Sequence, residues 1–185
     1  EGMFFYFVPL YLQQLGANPI TIGSVFGVFG FVMMISHIPA GYLADRIGRR
    51  PMIRAAWFCG LVAAWVMGLA PSLTLFVLGY LLYGVTAFVM SPLFSYVTAA
   101  RDKLTAGRAM TLTSAMFNLG AVIGPISGGW IGEHLSMRTI FQFSGVVFLI
   151  SVGVILFLNP QPRDEQDNES ASRNLLRNIR FMGFL

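Results

Sequence analysis

Long apolar blocks most restrict what this sequence can fold into. Six of them, at about 2–15, 20–40, 52–70, 73–97, 109–131 and 139–158, alternate with short polar or charged segments. A helix needs about 20 mostly apolar residues to cross the hydrocarbon core of a bilayer. Only 11% of the residues are charged, against roughly 25% in soluble domains. We therefore predict an all-α, polytopic transmembrane helical bundle surrounded by the lipid bilayer.

The first block and the tail differ from the other segments. The first block is short enough to be the outer end of a truncated span, and Asn18 and Pro19 after it are suited to cap and open the second helix. The tail, 159–185, contains four acidic residues and four arginines among several Asn, Gln and Ser residues. We expect residues 1–158 to form the bundle and 159–185 to form a cytoplasmic linker, whose last five residues begin another span.

The positions of Lys and Arg predict the orientation of the bundle. Eleven of the twelve lie after spans two, four and six, and only Arg138 falls elsewhere. Connections rich in Lys and Arg stay on the cytoplasmic side, so we expect a multi-pass protein of the cell (plasma) membrane with these three regions inside. The basic residues form no continuous face with a stacking platform beside it, and we expect no nucleic-acid partner.

The connection after span two carries the most specific pattern in the chain, Gly-Tyr-Leu-Ala-Asp-Arg-Ile-Gly-Arg-Arg-Pro from residue 41. It places one carboxylate among several guanidinium groups, and a carboxylate accepts bidentate hydrogen bonds from arginine. Such a cluster suits a latch that breaks and reforms as two helix bundles rock. The candidate gating residues are Gly41, Leu43, Asp45, Arg46, Gly48, Arg49 and Arg50.

This pattern resembles the signature loop between spans two and three of the major facilitator superfamily, and it lies between the predicted spans two and three. The resemblance implies the N-terminal six-helix half of a secondary transporter, paired with a missing C-terminal half around a central cavity. It further implies that Asp45 and Arg49 stabilise the outward-open state, with Asp45 facing a helix of the second half. An ordinary positive-inside loop is the alternative interpretation.

Span five contains a second pattern, formed by small residues and a proline. Glycines four residues apart share one face of a helix and let another backbone approach closely, while a proline removes a backbone donor and bends a helix. The stretch resembles the span-five motif of proton-coupled antiporters of the same superfamily, and generic helix packing is the equally weighted alternative. Its residues are Gly120, Gly124, Pro125, Gly128 and Gly129.

Polar residues within the spans are the candidates for lining a substrate cavity. Helical periodicity places three of them in a stripe on span five, turned away from the glycines. Hydroxyl groups that bond to neighbouring backbone carbonyls are the alternative. The candidates are Thr111, Ser114 and Asn118 on span five, and, more weakly, Tyr80, Tyr83 and Gln142 on spans four and six.

Glu1 and His37 are the two ionisable residues in a position to lie at membrane depth, which makes them candidate proton sites. Glu1 lies roughly 21 Å of helix inward from the outer end of span one, and a place near the cytoplasmic surface is the alternative. For His37 the alternative is a packed or water-facing side chain. Many proton-coupled members of the superfamily carry an arginine four residues before a glycine in span four. With Gly84 as that glycine, Tyr80 holds the place, which puts coupling through that arginine in doubt.

The sequence lacks the groups of residues that enzymes usually need for catalysis. With one cysteine and two histidines, there is no nucleophile with its base, no phosphate-binding loop and no set of metal ligands. We expect no enzyme, no metal and no cofactor.

The expected function is alternating-access transport of a small molecule, with proton-coupled efflux favoured by the span-five motif. An uptake symporter or uniporter, and a non-transporting sensor or scaffold with the same fold, are the alternatives. Packing, rather than a cofactor, explains residues such as Phe26, Phe29, Phe31, Met33 and Met34.

Overall fold

A computed structural model describes residues 2–101 and 103–158, except for the side chains at positions 40, 41 and 45. The helices are α1 (Gly2–Phe5), α2 (Val8–Gln14), α3 (Pro19–Ile47), α4 (Arg49–Leu69), α5 (Leu73–Val85), α6 (Met90–Ala99), α7 (Ala106–His134) and α8 (Met137–Leu156), with a 3₁₀ segment (Thr86–Val89) between α5 and α6.

Within the described residues, five stretches are long and apolar enough to cross a membrane: Pro19–Pro39, Arg49–Leu69, Leu73–Ala99, Ala106–His134 and Met137–Leu156. The predicted all-α transmembrane fold class is confirmed. The shorter helices α1 and α2 occupy the first predicted span. The predicted linker, 159–185, lies outside the described residues, so the division into bundle and linker stays a prediction.

Side-chain caps mark the starts of several helices. The Oδ1 atom of Asn18 accepts a hydrogen bond from the backbone N–H of Thr21 at 2.8 Å, and Pro19 lies in the first turn of α3. The Oγ atom of Ser136 likewise accepts from the N–H of Thr139 at 3.2 Å at the start of α8. Caps of this kind satisfy backbone donors that have no partner within the helix. The predicted role of Asn18 is confirmed.

The connection between the second and third spans is tighter than the sequence predicted. Instead of a turn from residue 41 onward, α3 continues through Ile47 and α4 begins at Arg49. Only Gly48 interrupts the helices, with a φ of 97° that glycine adopts without the clash of a Cβ atom. The helix runs on because the length limit of a span applies only inside hydrocarbon, and charged residues extend it beyond that region.

The fourth span is broken by a 3₁₀ segment that the sequence analysis did not predict. α5 ends at Val85, and Thr86–Val89 precedes α6. Pro92 has no N–H to donate to the carbonyl of Phe88, and its ring crowds that carbonyl. The helix tightens locally as a result, which is the usual form of a short 3₁₀ segment within a helix.

An aromatic cluster holds the first two helices inside the bundle. The ring centroid of Tyr11 lies 4.9 Å from that of Phe76 and 5.1 Å from that of Phe141. Phe4 lies 5.9 Å from Phe141 and is fully buried. Tilted and edge-to-face pairs of this kind contribute about 0.5–1.5 kcal/mol each beyond their buried area. They tie α1 and α2 to α5 and α8.

Two arginines bind backbone carbonyls at opposite ends of the bundle. At one end Arg138 donates from Nη2 to the carbonyl of Ala70 at 2.6 Å and from Nε to the hydroxyl of Tyr11 at 3.3 Å. At the other end the Nη2 atom of Arg54 donates to the carbonyl of Leu156. The connections between helices that were predicted to lie outside the cell are at the end that contains Arg138. The other end contains the Gly48 turn. The alternation of the described helices therefore matches the pattern that the charges require.

Candidate functional site

A partly open cavity of about 430 Å³ lies between the helices of the bundle. Its walls come from α1, α3, α4, α5, the 3₁₀ segment, α6, α7 and α8. The 3₁₀ segment of the fourth span contributes Thr86, Ala87 and Val89 to the wall. The cavity is large enough for a small organic molecule, since such sites usually measure about 300–1,000 Å³.

The wall of the cavity is mainly aromatic and sulfur-containing. Phe29, Phe148, Met33 and Met90 are among its residues. Methionine is unbranched and polarisable, so it adapts to ligands of different shape, and aromatic rings offer large apolar faces. No Asp, Glu, Lys or Arg stands among the described residues of the wall. This chemistry suits a largely apolar ligand with few charges.

The serine and threonine hydroxyl groups of the cavity wall donate to backbone carbonyls three or four residues earlier in the chain. Ser144 donates to the carbonyl of Ile140 at 2.9 Å, and Thr86 donates to that of Tyr83 at 2.7 Å. Each oxygen then keeps lone pairs that can accept a hydrogen bond. These groups present acceptors to a ligand rather than donors.

His37 is the imidazole of the cavity wall. Its Nδ1 atom lies 2.7 Å from the carbonyl oxygen of Met33. A carbonyl oxygen only accepts, so the Nδ1–H group of His37 donates to it. The structure thus places this candidate proton site at the cavity, with one nitrogen held by its own helix. The other candidate, Glu1, lies outside the described residues.

Of the polar residues predicted on spans four and six to line a cavity, one lies in the cavity wall and two do not. Tyr83 lies in the cavity wall. Tyr80 is fully buried and stacks on Phe29, with ring centroids 4.2 Å apart, and Gln142 donates from Nε2 to the carbonyl of Gly68 at 3.1 Å. Neither of these two belongs to the wall.

The predicted polar stripe on span five lies on an exposed face of α7. Thr111, Ser114 and Asn118 are all exposed, and the cavity wall takes only Phe117 from this helix. Sequence reasoning missed the apolar residues that do line the cavity. The signal available for them was the concentration of Phe and Met in span two, which was interpreted as packing against lipid and other helices.

The gating residues lie around the junction of α3 and α4. Gly41, Leu43, Asp45 and Arg46 fall in the last two turns of α3, and Arg49 and Arg50 open α4 on the other side of Gly48. The guanidinium carbon of Arg46 lies 4.7 Å above the ring of Tyr42, a cation–π contact. The side chain of Asp45 is outside the described part of the structure, so its ion pairing remains a prediction.

The span-five glycines form a seam against α1. A Cβ atom added at Gly124 would lie 2.6 Å from the carbonyl carbon of Gly2 and from the nitrogen of Met3. At Gly128 it would collide with the carbonyl oxygen of Met3, whereas at Gly120 it would meet nothing within 4 Å. Gly129 lies beside the ring of Phe7, and Pro125 lies inside α7. The close backbone approach is the packing that such spacing permits.

Within the described ranges, no group of three or more His, Cys, Asp or Glu residues is positioned to hold a metal ion.

Comparison with known proteins matches this architecture. The family model described as Major Facilitator Superfamily matches residues 1–184. An uncharacterized MFS-type transporter of Methanocaldococcus jannaschii is 30% identical over 147 residues, which cover 77% of this chain and 37% of that protein.

Two further relatives carry names of resistance proteins. Multidrug resistance protein MdtG of Klebsiella pneumoniae is 29% identical over 157 residues, 82% of this chain and 38% of that protein. Quinolone resistance protein NorA of Staphylococcus aureus is 24% identical over 184 residues, 96% of this chain and 46% of that protein. The chain thus spans less than half the length of these relatives. The family match and the five membrane-length helices identify an integral membrane protein, and the chain belongs to the major facilitator superfamily.

Proposed function

We propose that this chain forms the N-terminal bundle of a secondary carrier that exports small, largely apolar molecules by alternating access. The observation that carries the proposal is the cavity of about 430 Å³ with its aromatic and methionine-rich wall. The relatives named for multidrug and quinolone resistance favour export over uptake. Binding between two bundles near the membrane midplane is the arrangement typical of such carriers.

The partner in this mechanism is the missing C-terminal half of the same polypeptide, which would close the cavity from the opposite side. Gating belongs to the junction around Gly48, where Asp45 and Arg49 would form the latch that the signature loop implies. When the latch breaks, the bundles rock and the cavity opens to the other face. The membrane would be the cell membrane, with the Gly48 junction inside.

Coupling to protons is the finer part of the proposal. Tyr80, at the position where many proton-coupled members carry arginine, is packed against Phe29, so a proton site would lie elsewhere. His37 is the described candidate because its imidazole lines the cavity. Antiport predicts that flux follows an imposed pH gradient and stops when the gradient is collapsed.

Two substitutions on α8 test the role of the cavity. Val147 lines the cavity, whereas its neighbour Val146 lies outside the wall, although the two residues are similarly exposed, at 48% and 44%. Val147→Phe should weaken transport of a lipophilic fluorescent dye by about five-fold in apparent affinity, because the larger ring occupies part of the cavity and a loss of about 1 kcal/mol of ligand contact corresponds to that ratio. Val146→Phe should leave it unchanged.

The measurement is dye flux by the full-length protein in proteoliposomes. Equal transport by the two variants, at equal insertion, would contradict a substrate site in this cavity. Absence of flux for a panel of apolar dyes and drugs, with the protein folded, would favour a non-transporting member of the family.

A further inference from the structure

A second groove lies on the outer side of the bundle, between α4 and α8, at the end that contains the Gly48 junction. It has a volume of about 310 Å³ and is lined by Arg54, Ala55, Phe58, Val152, Ile155 and Leu156. The side chains of Phe58 and Leu156 are 60% and 54% exposed. The groove is therefore separate from the central cavity and open to whatever surrounds the bundle.

Arg54 is the polar residue of this groove, and its guanidinium is held in place. Its Nη2 atom donates to the carbonyl of Leu156, at the last residue of α8, where helix carbonyls have no partner within the helix. Its Nε–H is buried and has no hydrogen-bond partner among the described residues. The same is true of the Nε–H of Arg50, one turn earlier on the same face of α4.

A guanidinium has five N–H donors, and those of Arg54 that do not bond to Leu156 or lie buried at Nε can donate to a molecule in the groove. A guanidinium group fits the oxygens of a phosphate better than other common acceptors. The rest of the groove is apolar, with Phe58, Val152 and Ile155 as its main surfaces. A free anion would not use this apolar wall, and a purely apolar molecule would leave the arginine donors unsatisfied.

We propose that the groove binds an anionic glycerophospholipid. Its phosphate would meet Arg54, and an acyl chain would lie along Phe58 and Val152. The charge distribution predicts this end of the bundle to be cytoplasmic, where anionic headgroups lie and where basic pockets between helices bind them. The bound lipid would bridge α4 to the end of α8. The proposal is independent of what the central cavity transports.

Lipid titration of the purified full-length protein tests the proposal. Phosphatidylglycerol, phosphatidylcholine and inorganic phosphate are added separately to the detergent-solubilised protein, and bound lipid is counted by native mass spectrometry alongside the thermal unfolding midpoint. Phosphatidylglycerol should bind and raise the midpoint, and the other two should not. Equal effects of phosphatidylcholine would overturn the requirement for an anion, and equal effects of inorganic phosphate would overturn the requirement for a lipid.

Three variants place the binding at the groove. Arg54→Gln should weaken phosphatidylglycerol binding about five-fold, the share of one basic residue at an anionic surface. Arg108→Gln, an exposed arginine of α7 outside the groove, is the matched control and should bind like the wild type. Val152→Trp keeps Arg54 and fills the apolar part, so it should weaken lipid binding at least as much. Wild-type affinity in either Arg54→Gln or Val152→Trp would overturn the proposal.

Discussion

Substitution of Gly124 by alanine tests how closely α7 and α1 pack. The added Cβ atom would lie 2.6 Å from the carbonyl carbon of Gly2 and the nitrogen of Met3, whereas ordinary contacts begin at 3.4 Å. Both atoms belong to the backbone, so α1 as a whole must move by about 0.8 Å, the difference between these distances. Overpacking of this kind costs about 1–3 kcal/mol.

Gly120→Ala is the matched control, because it lies one turn away on the same helix and its Cβ atom would meet nothing within 4 Å. Both variants gain the same helix propensity of alanine over glycine, so the difference between them isolates the clash. Reversible unfolding of the full-length protein in mixed detergent micelles measures it. We expect Gly124→Ala to be less stable than Gly120→Ala by about 1–3 kcal/mol. Equal stability, within about 0.5 kcal/mol, would refute the close approach of the two backbones.

Three other substitutions test the junction and the outer end of the bundle. Asp45→Asn should lower the flux rate while leaving membrane insertion intact, because the signature loop implies a gating carboxylate; unchanged flux in proteoliposomes would argue against the latch. Gly48→Ala should cost about 1–3 kcal/mol of unfolding free energy, because φ 97° with ψ 155° is a backbone conformation that essentially only glycine adopts, and wild-type stability would contradict the turn geometry. Arg138→Met should cost about 1 kcal/mol through its lost hydrogen bonds to Tyr11 and to the backbone. In the same assay the control Lys103→Met should leave the free energy of unfolding unchanged. An unchanged free energy of unfolding for Arg138→Met as well would count against those bonds.

The parts of the fold that depend on local pattern could be predicted from the sequence. Block length and composition give membrane helices, and the Asn18–Pro19 pair gives the start of α3, because a cap involves only residues within one turn. The 3₁₀ break before Pro92 was also a local consequence of sequence, since it follows from the missing N–H of that proline. It was absent from the prediction because hydropathy alone does not distinguish a straight span from a broken one.

Which face of each helix lines the cavity depends on helices that are distant in sequence. It could therefore not be predicted from local pattern. Polarity singled out Tyr80 and Gln142 for the cavity, yet the structure packs Tyr80 on Phe29 and bonds Gln142 to a carbonyl of α4. Phe29 and Met33, interpreted as packing residues, line the cavity wall. In a membrane both the lipid face and the cavity face are apolar, so the hydrophobic periodicity that separates inside from outside in a soluble helix carries little information here.

The close contact at Gly124 is a second feature that the sequence predicted only in part. Spacing alone predicted that some backbone could approach the glycine face, and the structure identifies that backbone as α1. The partner could not be predicted, because α1 lies more than a hundred residues away in sequence and its own pattern of Phe and Met residues is compatible with several neighbours.

Accessibility of two introduced cysteines tests the central claim, a membrane-embedded bundle with the Gly48 junction on the cytoplasmic side. With Cys59 replaced by alanine, Pro71→Cys and Lys103→Cys place single thiols at exposed positions in successive connections without removing a helix cap. Intact cells are treated with a membrane-impermeant maleimide before and after permeabilisation. We predict that Pro71→Cys is labelled in intact cells and that Lys103→Cys is labelled only after permeabilisation. Labelling of both thiols from the same side, or in the reverse order, would contradict the account.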